Sequence, residues 1–177
     1  MIRLNEEDKL SFEGKIRKLC LPNETSGEPN KWFRNAIHLV GYGKTREDST
    51  SQLRAATMVI MPNYRCQEQL EKGTDLYRSI LISLPKSPMI MKNQLCSGVS
   101  GLIGTGTGSC AGDSGSPAIF YDWKREAFSQ LGVLHGGVTQ CSSNVLPSIY
   151  TRLDDPNILQ FIKNELNKTS KLDLSLL

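Results

Sequence analysis

The sequence predicts an all-β domain, either a barrel or a sandwich, that ends in a single α-helix. The β prediction comes from short apolar segments separated by turn residues, at residues 36–40, 55–61, 118–121, 130–134 and 148–153. Short strands with regular Gly and Pro punctuation are typical of these folds. Strands and helices do not alternate along the chain, so a parallel α/β architecture is not expected.

The one predicted helix lies near the C-terminus. Asp155 suits the N-cap and Pro156 the first helical position. Apolar residues then recur at helical spacing, at Ile158, Leu159, Ile162 and Leu166. We expect a helix over residues 155–167 with one apolar face on the β domain, followed by a flexible tail over residues 168–177.

Composition excludes several classes of function. The 177 residues suit one domain, and a net charge of +3 without basic runs among aromatics does not indicate nucleic-acid binding. The apolar runs are too short to span a membrane. Charged residues follow Met1 closely, so no signal peptide is recognisable, and we expect the natural N-terminus to lie upstream.

The cysteines favour disulfide bonds. No CxxC pair occurs, so neither a zinc site nor any other metal or cofactor is expected; the five residues are Cys20, Cys66, Cys96, Cys110 and Cys141. An odd number leaves one cysteine whose partner lies outside the chain. Two sequons, beginning at Asn23 and Asn167, give weaker support to an exported protein.

The most informative motif is Gly112-Asp113-Ser114-Gly115, which follows a Gly/Ser-rich stretch. A serine between glycines on a sharp turn can expose its hydroxyl, and flexible glycines allow backbone N–H groups to converge on an oxyanion. Because a serine hydroxyl is a weak nucleophile, the chemistry also needs a histidine base and an orienting acid. The alternative is a plain Gly/Ser turn with no chemical role.

Four segments in order, residues 16–22, 39–43, 112–115 and 147–152, resemble the second half of the chymotrypsin/trypsin family of serine peptidases. The resemblance runs from about Met1 to the C-terminal helix. It implies the second six-stranded antiparallel Greek-key barrel of a chymotrypsin-like fold, with a C-terminal helix and the first barrel missing.

The same resemblance implies a division of the chain. Residues 1–31 would be a remnant of the first barrel's last strand and the inter-barrel linker. Residues 32–154 would form the second barrel with the nucleophile loop.

The resemblance also implies catalytic roles. Ser114 would be the nucleophile, the N–H groups of Gly112 and Ser114 the oxyanion hole, and Asp113 the partner of an N-terminal amine freed by zymogen cleavage.

Disulfides are implied as well, namely Cys66–Cys96 and Cys110–Cys141, with Cys20 unpaired within this chain. A further family disulfide is replaced at both ends, by Ile37 and Phe120, which can fill its space with apolar side chains.

The implied substrate-binding residues are Gly108, Ser109, His135, Gly136, Gly137 and Ser148. Gly108 stands where trypsin-like members carry a carboxylate, so a preference for Arg or Lys is not expected. Gly136 replaces a usual tryptophan and Ser148 a usual glycine. The resemblance therefore favours an apolar or small residue before the scissile bond.

The family's catalytic histidine and aspartate align upstream of Met1. His38 is expected to be structural, and His135, which stands near the nucleophile in the resemblance, is expected to fill space at the barrel junction. The prediction is a secreted serine endopeptidase domain that acts on polypeptides and is itself inactive or nearly so without its first-barrel segment. The alternative is a non-catalytic, peptidase-like binding module.

Overall fold

The computed structural model describes residues 16–23, 31–45, 52–78, 89–98, 108–136 and 147–169. The elements in chain order are β1 (Ala36–Gly41), β2 (Arg54–Met61), α1 (Asn63–Arg78), β3 (Gln94–Gly98), β4 (Pro117–Asp122), β5 (Ala127–Gly136), β6 (Ser148–Arg152) and α2 (Pro156–Thr169).

The six strands close into a barrel in the order β1-β2-β3-β6-β5-β4, and every neighbouring pair is antiparallel. Pairing of β1 with β4 closes it, with His38 opposite Ile119 and Leu39 opposite Ala118. Closure gives every strand two partners and decides between the barrel and the sandwich. The predicted six-stranded antiparallel barrel with a C-terminal helix is confirmed.

Two elements, β3 and α1, were not predicted from the sequence. In β3 three consecutive residues, Leu95 to Ser97, are buried, so the strand lacks the alternation that marks a half-buried sheet. In α1 the buried side chains among residues 63–72 are those of Cys66 and Leu70. A helix that buries so few side chains shows little of the hydrophobic periodicity by which helices are predicted from sequence.

The barrel interior is filled by side chains that point inward from the strands, namely Ile37, Leu39, Met58, Ile60, Leu95, Ala118, Phe120, Leu131, Leu134 and Tyr150. Ile37 and Phe120, the two residues at the replaced disulfide, are both buried in this cluster. Between the inward residues of β1, His38 faces outward, and its Nδ1 lies 3.0 Å from Oγ1 of Thr57 on β2.

The Cys66–Cys96 disulfide is confirmed and joins α1 to β3. Cys110 is also disulfide-bonded, while its predicted partner Cys141 lies outside the described residues. Cys20 is a free thiol. The backbone of Cys20 pairs with β5, donating to the carbonyl of Phe128 and accepting from the N–H of Gln130.

The start of α2 follows the predicted capping. Oδ1 of Asp155 accepts hydrogen bonds from the N–H groups of Asn157 (2.9 Å) and Ile158 (3.2 Å), which satisfies two of the free donors at the helix start. Leu159, in the first turn of α2, is buried.

A buried ion pair precedes the helix. Arg152 and Asp154 are almost fully buried and share two hydrogen bonds, from Nε to Oδ1 (2.9 Å) and from Nη2 to Oδ2 (2.7 Å). Trp32, in the turn before β1, donates its Nε1–H to Oδ2 of Asp154 at 2.6 Å. The pair therefore connects the end of β6 to the beginning of the barrel.

Candidate active site

Ser114 lies at the apex of a double turn. Gly112 and Gly115 on either side of it have φ values of 96° and 89°, a left-handed conformation that favours glycine. The N–H of Asp113 donates to the carbonyl of Cys110 (3.0 Å), and that of Ser116 donates to the carbonyl of Asp113 (2.9 Å). The chain reverses twice within seven residues, from Cys110 to Ser116, and leaves Ser114 exposed to solvent.

Two hydrogen bonds attach this turn to β5. The N–H of Gly115 donates to the carbonyl of Leu134, and the N–H of Leu134 donates to the carbonyl of Ser116, both at 2.9 Å. His135 is the next residue on β5, so its backbone lies beside Ser114. Its side chain is exposed and has no hydrogen-bond partner within the part of the chain that the structure describes.

The carboxylate of Asp113 is held by two backbone donors. The N–H of Gly43 donates to Oδ1 (2.8 Å) and the N–H of Cys110 donates to Oδ2 (2.9 Å). A third bond, from the N–H of Lys44 to the carbonyl of Ala111 (2.9 Å), joins the same two segments. Residues 110–116, in which the sequence predicts the nucleophile, are called the nucleophile turn. This turn is thus tied to the segment that follows β1.

Glycine is required on both sides of Tyr42 for this contact. A Cβ atom at Gly41 or Gly43 would overlap the carboxylate of Asp113. The Gly-Tyr-Gly sequence therefore has a structural reason at this point, because only a chain without side chains can approach the carboxylate so closely.

The turn leaves two backbone donors available. Across residues 16–23, 31–45, 52–78, 89–98, 108–136 and 147–169, no acceptor pairs with the N–H of Gly112 or of Ser114. Both belong to the apex that exposes the Ser114 hydroxyl. Donors without internal partners beside a nucleophile are what a developing oxyanion requires.

A row of hydroxyl groups leads from the loop before the turn into the barrel. Oγ of Ser109 lies 2.7 Å from Oγ of Ser148 on β6, and Ser148 in turn contacts the phenol of Tyr150. Oγ of Ser97 donates to the Tyr150 oxygen at 3.0 Å. The pocket residues predicted from the sequence, Ser109 and Ser148, are therefore in direct contact.

Tyr150 is fully buried, and this burial raises its pKa to about 12. The negative charge of Asp113 acts in the same direction, whereas hydrogen bonds with Ser97 and Ser148 act against it. Tyr150 is therefore neutral over the physiological range and serves as a hydrogen-bonding group for Ser97 and Ser148.

The structure brings most of the predicted site residues to one region. Gly108 and Ser109 precede the nucleophile turn, and Gly136 ends the strand to which the turn is bonded. Gly137 lies outside the described residues. His38 is bonded to Thr57 on the outer side of the barrel.

The sequence does not indicate that Gly41 and Gly43 enclose the carboxylate of Asp113, or that Tyr150 bonds to Ser97 and Ser148. In the sequence the two glycines around Tyr42 are only a landmark of the family resemblance. Their spacing indicates a turn but does not reveal which side chain it approaches.

The closed barrel and the Gly-Asp-Ser-Gly turn are those expected of a serine-protease domain, and sequence comparison agrees. The model of the Trypsin family matches residues 1–162, and the chain belongs to this family.

Individual relatives give the same result. The chain is 30% identical over 146 residues to an ovochymase of Halocynthia roretzi, a match covering 81% of this chain and 8% of that protein. It is 25% identical over 166 residues to melanization protease 1 of Drosophila melanogaster, covering 92% of this chain and 37% of the relative. A CLIP domain-containing serine protease B8 of Anopheles gambiae is 29% identical over 147 residues, with coverage of 80% and 33%. The chain thus spans well under half the length of each of these relatives.

Neither of the described helices is both long and apolar enough to cross a bilayer. Among the residues with defined placement, no cluster of three or more His, Cys, Asp or Glu side chains is arranged to hold a metal ion.

Proposed function

We propose that this chain is the nucleophile-bearing barrel of a secreted serine endopeptidase that hydrolyses peptide bonds in polypeptide substrates. The observation that carries the proposal is the geometry of the turn: Ser114 is exposed between two left-handed glycines, beside two backbone donors that have no partner among the described residues. The disulfides at Cys66 and Cys110 support an oxidising compartment.

In the proposed mechanism the Oγ of Ser114 attacks the substrate's carbonyl carbon. The N–H groups of Gly112 and Ser114 donate to the oxygen that becomes negatively charged. Asp113 does not touch the substrate; its two backbone hydrogen bonds hold the turn in position. Collapse of the tetrahedral intermediate then expels the amine, which needs a proton from a general acid.

The proton transfers are assigned to a histidine outside these 177 residues. The sequence contains two histidines. His38 is bonded to Thr57 on the outer wall, and His135, although beside the turn, makes no hydrogen bond to Ser114. A base must lie within hydrogen-bonding reach of the hydroxyl it deprotonates. A first-barrel segment is proposed to supply this histidine and its orienting aspartate.

The pocket is proposed to accept a small or apolar side chain. Ser109 and Ser148 are hydrogen-bonded to each other, and neither side chain carries a charge that could pair with a basic substrate residue. Gly108, at the position of the charged residue in trypsin-like members, has no side chain to pair with Arg or Lys. A series of peptide substrates that differ only at the residue before the scissile bond would measure the preference.

A non-catalytic binding module is the second candidate, favoured by the absence of a bonded base at Ser114 among the described residues. The genomic sequence upstream of Met1 separates the two. A reading frame that continues into a histidine-bearing and an aspartate-bearing segment supports the peptidase, and a frame without them supports the binding module.

A fluorophosphonate probe tests the assignment of Ser114. We compare the 177-residue chain alone with the same chain joined to a first barrel. The chain alone should react slower by about 10⁴-fold or more, because loss of the catalytic base reduces rates by this much. Ser114→Ala should abolish labelling of the joined protein, and Ser116→Ala is the matched control that should retain it.

Two results would contradict the proposal. Rapid labelling of the isolated chain that Ser114→Ala abolishes would show that a base lies within it. Labelling of the joined protein that survives Ser114→Ala would show that Ser114 is not the nucleophile.

A further inference from the structure

The C-terminal helix carries a chemical motif that the proposed catalytic function does not use. Asn167-Lys168-Thr169 is an acceptor sequence for N-linked oligosaccharide, and it occupies the last residues of α2. Whether such a motif can carry a glycan in the folded protein depends on where the asparagine lies.

Asn167 lies on the solvent side of α2. Leu159 is buried and Ile162 and Leu166 are partly buried, whereas Asn167 is exposed together with Asn164. Residues three or four apart share a helix face, so Asn164 and Asn167 lie on the same exposed part of the helix. A glycan at Asn167 would project from there into solvent, and the buried side chains of α2 would be unchanged.

The amide of Asn167 is also chemically available. Asn164 is engaged, because its Oδ1 accepts a hydrogen bond from Nε2 of Gln160 at 2.7 Å. The side-chain amide of Asn167 makes no hydrogen bond to any residue that the structure describes. Conversion of its amide to a glycosylated amide therefore breaks no contact seen in the structure.

We propose that Asn167 is an N-glycosylation site of this protein. The donor is a lipid diphosphate-linked oligosaccharide of the secretory pathway. A bond forms between Nδ2 of Asn167 and the anomeric carbon of the first N-acetylglucosamine, while the bond from that carbon to the diphosphate oxygen breaks. The lipid diphosphate leaves, and one amide proton passes to a base of the transferase. The inference rests on the extracellular part of the proposed function and is independent of the chemistry of Ser114.

The experiment uses the full chain behind a cleavable secretion leader, expressed in insect cells with Asn23→Gln to remove the other sequon. We expect a mobility shift of one glycan that peptide-N-glycosidase removes. The released peptide should carry aspartate in place of Asn167. The additional change Thr169→Ala should abolish the shift, whereas Thr169→Ser, which keeps the motif, and Asn164→Gln should retain it.

In vitro translation of the same variants in the presence of microsomes measures glycosylation even where a variant fails to fold. An unshifted chain in both systems would overturn the proposal, as would a shift that persists in Thr169→Ala. Because fluorophosphonate labelling does not depend on Asn167, failure of this proposal and failure of the Ser114 assignment give separate results.

Discussion

The carboxylate of Asp113 links the nucleophile turn to the segment that follows β1. Backbone N–H groups of Gly43 and Cys110 hold its two oxygens at 2.8 and 2.9 Å. Hydrogen bonds to a charged acceptor are among the stronger ones in proteins. The position of Ser114 therefore depends on residues about seventy positions earlier, the separation between Gly43 and Asp113.

Replacing Gly43 by alanine tests this dependence. The added Cβ would overlap the Asp113 carboxylate, so we expect the free energy of unfolding to fall by about 1–3 kcal/mol. The measurement is chemical denaturation followed by circular dichroism. Gly136→Ala is the control, because a Cβ there meets no atom within 4 Å. Equal stability of Gly43→Ala and the wild type would show that the contact is not close in solution.

Tyr150 should make the fold sensitive to alkaline pH. Its pKa in the folded chain is raised to about 12, above the ordinary value of 10.0, so the unfolded chain loses the proton first. Below about pH 10, Tyr150 makes its full contribution to the free energy of unfolding. This contribution, about 2–3 kcal/mol, is lost as the pH rises towards 12.

Tyr150→Phe provides the comparison for this pH effect. The variant loses the hydrogen bonds with Ser97 and Ser148, and it has no phenol to ionise. Measured in a Cys20→Ser background to prevent thiol exchange, unfolding free energies of the two proteins should converge between about pH 10 and 12. A constant difference between them across that range would contradict the raised pKa.

Of the two helices, α2 is clearly predicted by its local sequence pattern, whereas α1 is not. Asp155 and Pro156 mark the start of α2, and the capping hydrogen bonds of Asp155 are present in the structure. In contrast, α1 is attached through the Cys66–Cys96 disulfide and a small apolar cluster. Attachment of this kind leaves little periodic pattern in the sequence.

Asp155→Ala should reduce the stability of α2. Two backbone donors would lose their acceptor, and we expect a loss of about 1 kcal/mol in unfolding free energy. Asp155→Ser is the matched control, since serine also accepts hydrogen bonds at the N-cap. If alanine and serine gave equal stabilities, the cap would contribute nothing measurable.

Across the whole molecule, the ion pair of Arg152 and Asp154 joins segments that are distant in sequence. Besides the bond from Trp32, which precedes β1, Nη1 of Arg152 donates to the carbonyl of Lys92, just before β3, at 3.3 Å. The pair thus holds together the beginning, middle and end of the barrel. Both charges are almost completely removed from solvent.

Removing one charge should destabilise the entire barrel. Asp154→Ala leaves the Arg152 guanidinium buried without its carboxylate, so we expect a loss of about 3–5 kcal/mol. The double change Arg152→Met with Asp154→Leu should recover much of it, because no unpaired charge remains. Urea denaturation measures all three proteins, and a double variant no more stable than Asp154→Ala would contradict the electrostatic explanation.

More of the fold than of the candidate site could be predicted from the sequence. Five of the six strands were indicated by their apolar segments, while β3 was missed because consecutive buried residues replace alternation. For the site, the sequence indicated Ser114 and its glycines. It could not indicate that Gly41 and Gly43 enclose Asp113, because that contact depends on how β1 and the nucleophile turn meet in space.

The sequence by itself determined the β-rich class, the position of the C-terminal helix and the chemical motif around Ser114. These follow from local patterns: apolar spacing, capping residues and glycines at a sharp turn. Only the tertiary structure decided that the sheet closes through β1 and β4, and that Ser109 meets Ser148. It also fixed Asp113 on backbone donors from a distant segment. These contacts join residues far apart in the chain, and their formation depends on packing of the whole barrel.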